Sequence, residues 1–358
     1  MLLIVIIVLA VIGVVIIAIA LSSSPKEKAV PGIEKTEPFD QEYLEISEDS
    51  AGMPVRFAYA HLKDNTQLLD YLNVDKTVKA SLEKKLATIN PIPSASLQLL
   101  NILNNPNSAT KECGAIIRTD PILSGKILQT VNSAYFSPAD RITSIEQAIG
   151  MLGVTNVRSM VIQSGIQKTL PSKSDYDRSM LDALWVHSAS VSTCANYLGS
   201  HIFNINGNDL ATIGLLHDIA KYFFPLFERV GEEVEGNIQI IQEESMYGIN
   251  HALLGSLIAR NWNFTPMVVD GIEFHHHPIF YPSERIPEWY LKVSFIICLA
   301  DLLCNILGYT GTAKELLPIR KEYYEMFGVY TDIHQLLTAP LLKELEKTKH
   351  AVEFYKGY

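Results

Sequence analysis

A histidine and an aspartate stand side by side within an otherwise apolar run, Gly214-Leu215-Leu216-His217-Asp218-Ile219-Ala220-Lys221. Burying two such polar groups costs free energy unless other groups satisfy them. The fold must therefore bring partners to His217 and Asp218. In a helix, Lys221 shares a face with His217 and places a cation beside a metal or anion site. A buried His–Asp hydrogen bond would satisfy the same pattern.

The rest of the chain shows helical periodicity and almost no strand alternation. Short apolar segments are separated by Asn, Pro, Ser and Gly. Asp120 followed by Pro121 predicts an N-cap and the first residue of a helix. Ser144 with Gln147 predicts a capping box, and Gly153 predicts the end of that helix. These signals predict an all-α fold.

The first 21 residues contain no charged side chain and are almost wholly Leu, Ile, Val and Ala. At about 1.5 Å per residue, this run matches the hydrocarbon thickness of a bilayer and predicts a transmembrane helix. Lys26 and Lys28 follow the run, and no basic residue precedes it. The positive-inside rule then predicts a single-pass protein of the inner (cytoplasmic) membrane, with its soluble part in the cytoplasm.

A cleaved signal peptide is the alternative for this N-terminal run, because Ala18-Ile19-Ala20 offers a cleavage site ahead of Leu21. Cleavage would place the protein outside the cytoplasm. Two features argue against it: no basic region precedes the run, and the run is longer than the roughly 7–15 residues of a signal-peptide core. We therefore favour an uncleaved anchor.

The composition limits the size of the core, the redox compartment and the kinds of partner. The 358 residues can bury one large core or two modest ones. The four cysteines lack metal-binding spacing and lie in apolar contexts, which predicts buried, reduced thiols and not a secreted disulfide framework. A net charge of −10 and the lack of a basic stripe in the sequence disfavour nucleic acid as a partner.

Further histidines occupy apolar helical contexts: His187 follows Trp185-Val186, His251 follows Asn250, and His275-His276-His277 precede a proline. Asp301 interrupts the apolar run 295–303. In chain order these residues form the series H…HD…H…HH…D, which resembles the metal-ligand pattern of the HD superfamily of metal-dependent phosphohydrolases. Individually, His187 could be a satisfied core histidine, His251 a helix cap, and the triple histidine an exposed turn.

A second resemblance extends over residues 89–279. It is carried by the motifs Ile89-Asn90-Pro91-Ile92-Pro93, Ile117-Arg118-Thr119-Asp120-Pro121-Ile122-Leu123, Val131-Asn132-Ser133-Ala134-Tyr135-Phe136, residues 142–153, residues 244–251 and residues 255–262. These motifs resemble successive landmarks of the HDOD family of bacterial signal transduction. The resemblance implies an all-α module in which an N-terminal helical bundle packs on an HD-like C-terminal bundle. Many HDOD members are thought to have lost hydrolysis and to act as regulatory scaffolds.

We therefore predict the following organisation: a transmembrane anchor (1–21), an acidic, Pro-containing linker (22–55), a helical lead-in (56–88), an HDOD domain (89–310) comprising an N-terminal bundle (89–175) and an HD-like subdomain (176–310), and a C-terminal helical tail (311–358). The tail is expected to pack on the HD-like bundle or to mediate contacts in a homodimer.

The HD resemblance also implies a set of metal ligands. His187, His217, Asp218 and Asp301 would form a first site, and His251, His275 and His276 a second one bridged by Asp218. Several imidazoles mixed with carboxylates favour Fe, Mn or Zn over Mg, in a site that is mononuclear or binuclear. Asp218 and Lys221 are the candidate catalytic residues, with Lys221 neutralising charge on a phosphoryl group.

Two hypotheses follow. In the first, the chain is a membrane-anchored regulatory protein that binds other signalling proteins through helical surfaces, and its metal site serves structure or sensing or is lost. In the second, it is a phosphohydrolase acting on a phosphomonoester, a nucleotide or a cyclic dinucleotide. The segment after the double histidine keeps Tyr281-Pro282 but lacks the glycine of the related HD-GYP phosphodiesterases. We also place no upstream glutamate ligand from the sequence.

Overall fold

The computed structural model describes residues 67–104, 110–170, 178–232, 238–309, 316–329 and 333–355. Within these ranges the chain is helical, with no β-strand longer than a single bridge residue, and the predicted all-α class is confirmed. The predicted transmembrane helix (1–21), the linker (22–55) and the start of the lead-in lie outside the described residues.

The helices fall into an N-terminal and a C-terminal set. The N-terminal helices are α1 (Lys76–Leu86), α2 (Ser94–Asn104), α3 (Thr110–Ile117), α4 (Pro121–Val131), α5 (Ile145–Leu152) and α6 (Val154–Thr169). The C-terminal helices are α7 (Arg178–Tyr197), α8 (Gly207–Leu216), α9 (Gln239–Tyr247), α10 (His251–Asn261), α11 (Pro266–Glu273), α12 (His277–Phe280), α13 (Glu288–Ile306), α14 (Lys321–Met326) and α15 (Ala339–Tyr355). Short 3₁₀ turns follow α8, at Ile219–Tyr222 and Phe224–Leu226.

The predicted helix boundaries near residues 120–153 are confirmed. The Asp120 side chain accepts hydrogen bonds from the backbone N–H groups of Ile122 and Leu123, and Pro121 begins α4. Ser144 caps α5, and Gly153 ends it with a φ of +86°, a conformation that glycine adopts without steric cost. Local sequence therefore determines where these helices begin and end.

Helix α7 forms the centre of the C-terminal half and packs against α6, α8, α13 and α15. The C-terminal helix α15 contacts α7 and also α4 and α6 of the N-terminal half. Thr348 of α15 donates to Asn156 Oδ1 at 2.9 Å and shares a 2.8 Å hydrogen bond with Thr193. The tail thus packs on the C-terminal half and also contacts the N-terminal half.

Helix α13 is long and apolar enough to cross a membrane, by length and composition alone. However, 72% of its most apolar window is buried within the protein, where it packs against α7, α8 and α11. Its composition therefore reflects a core position. The cysteines Cys113, Cys194, Cys298 and Cys304 are also buried and free, as the sequence predicts.

The lead-in differs from its helical prediction over residues 67–75. The leucines at 68, 69 and 72 have helical spacing, but the first helix within the described residues begins at Lys76, after the N-cap Asp75. The backbone of the preceding residues bonds elsewhere: Leu69 N–H donates to Glu244, and Leu68 C=O accepts from Tyr281. These tertiary hydrogen bonds replace the bonds that a helix would have made.

Candidate metal centre

The His217–Asp218 pair lies at a helix end. Helix α8 stops at Leu216, His217 is its C-cap, and a 3₁₀ turn begins at Ile219. The expectation that His217 and Lys221 share one face of a continuous helix is therefore wrong. Lys221 lies in this 3₁₀ turn, and its Nζ donates a hydrogen bond to Asp218 Oδ2, three residues earlier, at 2.8 Å.

The structure brings every predicted ligand to this break. The donors are His187 on α7, His217 and Asp218 after α8, His251 at the start of α10, His275 and His276 in the turn between α11 and α12, and Asp301 on α13. All are buried except Asp301, whose side chain is 16% exposed. Residues separated by more than a hundred positions in the chain thus meet in one place.

The first ligand group comprises His187, His217, Asp218 and Asp301. His187 Nε2 lies 3.1 Å from Asp301 Oδ1 and 3.7 Å from Asp218 Oδ2. His217 Nε2 lies 3.4 Å from Asp218 Oδ2 and 3.8 Å from Asp301 Oδ1. One ligand atom each from His187, His217 and Asp218 fall within 4.8 Å of one another, close enough to surround a single cation.

The second ligand group comprises His251, His275 and His276, which also offer nitrogens within 4.8 Å of one another. His251 Nε2 lies 2.9 Å from His276 Nε2 and 3.3 Å from Asp218 Oδ1. Asp218 therefore directs Oδ1 toward the second group and Oδ2 toward the first. This is the position that a bridging carboxylate needs.

Three of the imidazoles are held by hydrogen bonds at Nδ1. His217 Nδ1 lies 2.7 Å from Gly214 O, and His275 Nδ1 lies 2.6 Å from Ile272 O. His251 Nδ1 lies 2.5 Å from Glu243 Oε2. Because these oxygens accept, each Nδ1 carries the proton, and each Nε2 keeps its lone pair for a metal.

Several buried polar atoms of the two ligand groups lack a hydrogen-bond partner and are available to bind a cation. Among the described residues, the buried atoms His217 Nε2, His275 Nε2 and Asp218 Oδ1 find no hydrogen-bond partner. Leaving such an atom unsatisfied costs about 1–3 kcal/mol, so a core without a ligand here would be strongly disfavoured. Clustered imidazole nitrogens and carboxylate oxygens suit Fe, Mn or Zn.

Electrostatics favours the protonation states that metal binding requires. Burial lowers the pKa of His217, and lowers those of His275 and His276 further, which keeps these rings neutral. Burial alone would raise the pKa of Asp218, but His217 and Lys221 hold it well below its usual value. Asp301 behaves likewise: burial alone would raise its pKa, but the hydrogen bond from His187 and the electrostatic effect of His187 and His217 together bring it to about 2.

Glu243 is the site residue that the sequence analysis missed. Its buried carboxylate accepts from both the backbone N–H and Nδ1 of His251, at 2.8 and 2.5 Å. Its only signal in the sequence is a helical spacing of three from the buried Ile240. His277, by contrast, belongs to neither ligand group; its ring lies against Phe274 and Tyr281, and burial lowers its pKa to about 4.

Comparison with known sequences identifies a protein family that matches the region containing most of the ligands. The HDOD domain matches residues 89–278, which is more than half of the chain. An uncharacterised protein of Treponema pallidum (strain Nichols) is 25% identical over 279 residues, which cover 75% of this chain and 52% of that protein. Ribonuclease Y of Dehalococcoides mccartyi (strain CBDB1) is 26% identical over 167 residues, covering 47% of this chain and 25% of the ribonuclease. The chain thus spans about half and a quarter of these relatives.

Three solved structures share the fold. A candidate phosphohydrolase from Shewanella amazonensis SB2B aligns with a TM-score of 0.55 and 22% identity, over 77% of this chain and 98% of that one. An HDOD domain protein of unknown function from Geobacter sulfurreducens gives 0.56 and 21%, over 78% and 98%. A candidate signal transduction protein from Marinobacter aquaeolei VT8 gives 0.58 and 16%, over 83% and 64%. At these identities the likeness establishes the fold alone.

Proposed function

This chain belongs to the HDOD domain family, and we propose that it is a signal-transduction protein whose HD-like half holds divalent transition metal at the His–Asp centre. One observation carries the proposal: two groups of imidazoles converge on the two oxygens of Asp218, with buried ligand atoms that no other described residue satisfies. A core histidine cluster without a ligand would not need this arrangement.

In this proposal the first ligand group and the second ligand group would each hold one ion of Fe, Mn or Zn, and Asp218 would offer one oxygen to each group. When bound, such a pair supplies Lewis acidity and acidifies a water molecule. The protein supplies the rest: Gly214 and Ile272 carbonyls and the Glu243 carboxylate orient the imidazoles. Such supporting contacts are worth about 10–100-fold in metal affinity.

Phosphoester hydrolysis is the second candidate function, and Lys221 favours it. Burial alone would lower the pKa of Lys221, but Asp218 and Glu243 raise it above its usual value, so the side chain stays cationic. The side chains of Lys221 and Asp301 are each 16% exposed, whereas Asp218 is 3% exposed. A phosphoryl group entering at this edge would meet a cation suited to neutralise its charge.

The substrate class in this second candidate is a phosphomonoester, a nucleotide or a cyclic dinucleotide. The relative named ribonuclease Y adds a phosphodiester to the classes worth testing, but this chain covers a quarter of it. The net charge of −10 disfavours nucleic acid as a partner. We propose other signalling proteins, and a second copy of the chain, as partners of the helical surfaces.

We further propose that residues 1–21 anchor the protein in the inner membrane with the HDOD domain in the cytoplasm. The support is the uncharged apolar run and the lysines that follow it. Fractionation of cells followed by protease treatment of spheroplasts tests this. Full protection of a membrane-bound chain is expected, and a mature N-terminus at Leu21 would contradict the anchor.

Metal content tests the main proposal. The full-length chain, purified without chelating resin, should carry near-stoichiometric Fe, Mn or Zn by elemental analysis. His217→Ala and Asp218→Ala should lose it, because each removes a ligand, while His201→Ala changes an exposed ring outside both groups and should retain it. A metal-free wild type after reconstitution with each of these ions would refute the proposal.

Turnover separates the two candidate functions. With metal loaded, the chain is assayed on p-nitrophenyl phosphate, bis-p-nitrophenyl phosphate and cyclic dinucleotides. If it is a hydrolase, Lys221→Met should lower kcat by about 10²-fold at unchanged metal content, since it removes a charge aimed at the transition state. Full metal loading without turnover would leave the regulatory function alone.

A further inference from the structure

Residues 67–74, here called the strap, precede α1 and make hydrogen bonds to α9 and to the residue that follows α12. The strap is not helical, and its two inward leucines use their backbone for contacts with distant parts of the chain. Leu68 and Val74 are 8% and 3% exposed, so the strap is packed down at both ends. Leu72 between them is 86% exposed.

The first contact of the strap leads to His251. Leu69 N–H donates to Glu244 Oε1 at 2.7 Å, and the same oxygen accepts from Asn250 Nδ2 at 2.6 Å. Asn250 Oδ1 in turn accepts from Leu253 N–H at 2.8 Å and caps α10, whose first residue is His251. An unbroken series of hydrogen bonds therefore joins the strap to the helix start that presents this ligand.

The second contact leads to the double histidine. Tyr281 OH donates to Leu68 O at 3.0 Å. Tyr281 N–H donates to His277 O at 2.8 Å and closes the single turn of α12, directly after His275 and His276. The strap thus holds the end of the segment that presents the other two ligands of the group.

Helix α1 contacts the turn between α9 and α10, which precedes His251. Gly248, with a φ of +66°, lies between α9 and α10, and a Cβ there would come within 2.9 Å of Val78. The lead-in is therefore in close contact with the turn that separates Glu243 from His251. Among the described residues, the strap makes no hydrogen bond to His187, His217 or Asp301.

We propose that the strap is a positioning element for the second ligand group, so that displacement of residues 67–74 weakens metal binding at His251, His275 and His276 and spares the first ligand group. The proposal rests on the proposed metal-binding function and adds a route of regulation to it. The strap is covalently continuous with the chain before residue 67. A displacement transmitted from that chain to the strap would therefore weaken metal binding at the second ligand group and leave the first ligand group unchanged.

Variants of the full-length chain test the strap from both sides. Leu69→Pro removes the N–H that reaches Glu244, and its matched control is Leu72→Pro at the exposed position. Tyr281→Phe removes the hydroxyl that reaches Leu68. Its control is Tyr197→Phe, which loses a similar 3.0 Å hydrogen bond, to Thr338, and contacts neither the strap nor α12.

The first readout is titration with Co²⁺ followed by visible absorption. His276→Ala identifies the binding event that belongs to the second group. Leu69→Pro and Tyr281→Phe should weaken that event about 10-fold or more, the effect typical of lost supporting contacts, and leave the other event and both controls unchanged. Equal weakening of both events, or of neither, would overturn the proposal.

The second readout needs no metal and is hydrogen exchange of the metal-free protein. Amides at 248–256 should exchange about tenfold faster in Leu69→Pro, and the amide of residue 281, which closes the turn of α12, about tenfold faster in Tyr281→Phe, because one supporting hydrogen bond is worth roughly this factor. Exchange identical to wild type would refute the strap even if metal binds. A wild type that binds no Co²⁺ would refute the proposed function, while the exchange result would still decide whether the strap holds α10. Should Leu69→Pro unfold broadly, Tyr281→Phe, which leaves the backbone intact, decides the question.

Discussion

Gly214 lies where α8 crosses α7, and replacing it with alanine should separate two of the three helices that position the first ligand group. A Cβ at Gly214 would lie 3.0 Å from Val191 O and 3.1 Å from both Cα and N of Ser192. All three atoms are backbone, so no side chain can rotate away. Ordinary contact begins near 3.4 Å, and the helices would have to part by a few tenths of an ångström.

The size of the effect follows from comparison with a second glycine. Gly125→Ala, within α4, meets nothing within 4 Å and should stabilise the protein by about 0.5–1 kcal/mol through helix propensity alone. Gly214→Ala has the same gain, opposed by overpacking of about 1–3 kcal/mol. Since both variants gain the same helix propensity, only the overpacking differs between them, and their free energies of unfolding should differ by about 1–3 kcal/mol.

Urea denaturation of the metal-free chain, followed by circular dichroism, measures this difference. Gly214→Ala should also weaken metal binding at the first ligand group, because the Gly214 carbonyl holds His217 Nδ1 at 2.7 Å. If Gly214→Ala were as stable as Gly125→Ala, the close crossing of α7 and α8 would be refuted.

Three further predictions concern the second ligand group, a surface ion pair and the core. Glu243→Gln should weaken metal binding at the second ligand group by about 10–100-fold in a chelator competition, since it loosens the tautomer and orientation of His251; unchanged affinity would contradict the role of Glu243. Arg118 and Ser144 lower the pKa of Glu146 from 4.5 to about 2, so this carboxylate stabilises the fold above pH 4.5 and loses that contribution as the pH falls through about 2. The stability of Arg118→Leu and of wild type should therefore converge on acidification in this window, and a constant gap would refute the pairing. On α4, Ile127→Ala removes a side chain with no exposure and should cost about 2–5 kcal/mol in thermal or urea unfolding, whereas Ile122→Ala, 65% exposed, should cost little; equal losses would contradict the packing of this helix.

The sequence predicts the fold class and the convergence of ligands because both follow from local chemistry. Apolar periodicity and capping residues such as Asp120 and Ser144 act within one or two turns, and they set helix boundaries without knowledge of the rest. The buried pair His217 and Asp218 requires polar partners. Histidines and an aspartate in other apolar helices are the natural candidates to supply them.

Features that depend on tertiary contacts escape such prediction. Leu68, Leu69 and Leu72 have helical spacing, yet Glu244 and Tyr281 take the backbone groups that a helix would use. The end of α8 at His217 and the Glu243 carboxylate that holds His251 Nδ1 are two further features that local sequence does not predict. The partners of Leu68 and Leu69 lie 213 and 175 residues away in the chain, and the carboxylate on His251 lies eight residues upstream, where no apolar periodicity indicates it.

Anomalous scattering from crystals of the full-length protein, loaded with Zn²⁺ or Fe²⁺, locates bound metal ions relative to the two ligand groups. We expect one peak beside His187, His217 and Asp301, a second beside His251, His275 and His276, and Asp218 between them. Peaks elsewhere, or none at these ligand groups in metal-loaded crystals, would contradict the assignment of the centre as a metal site.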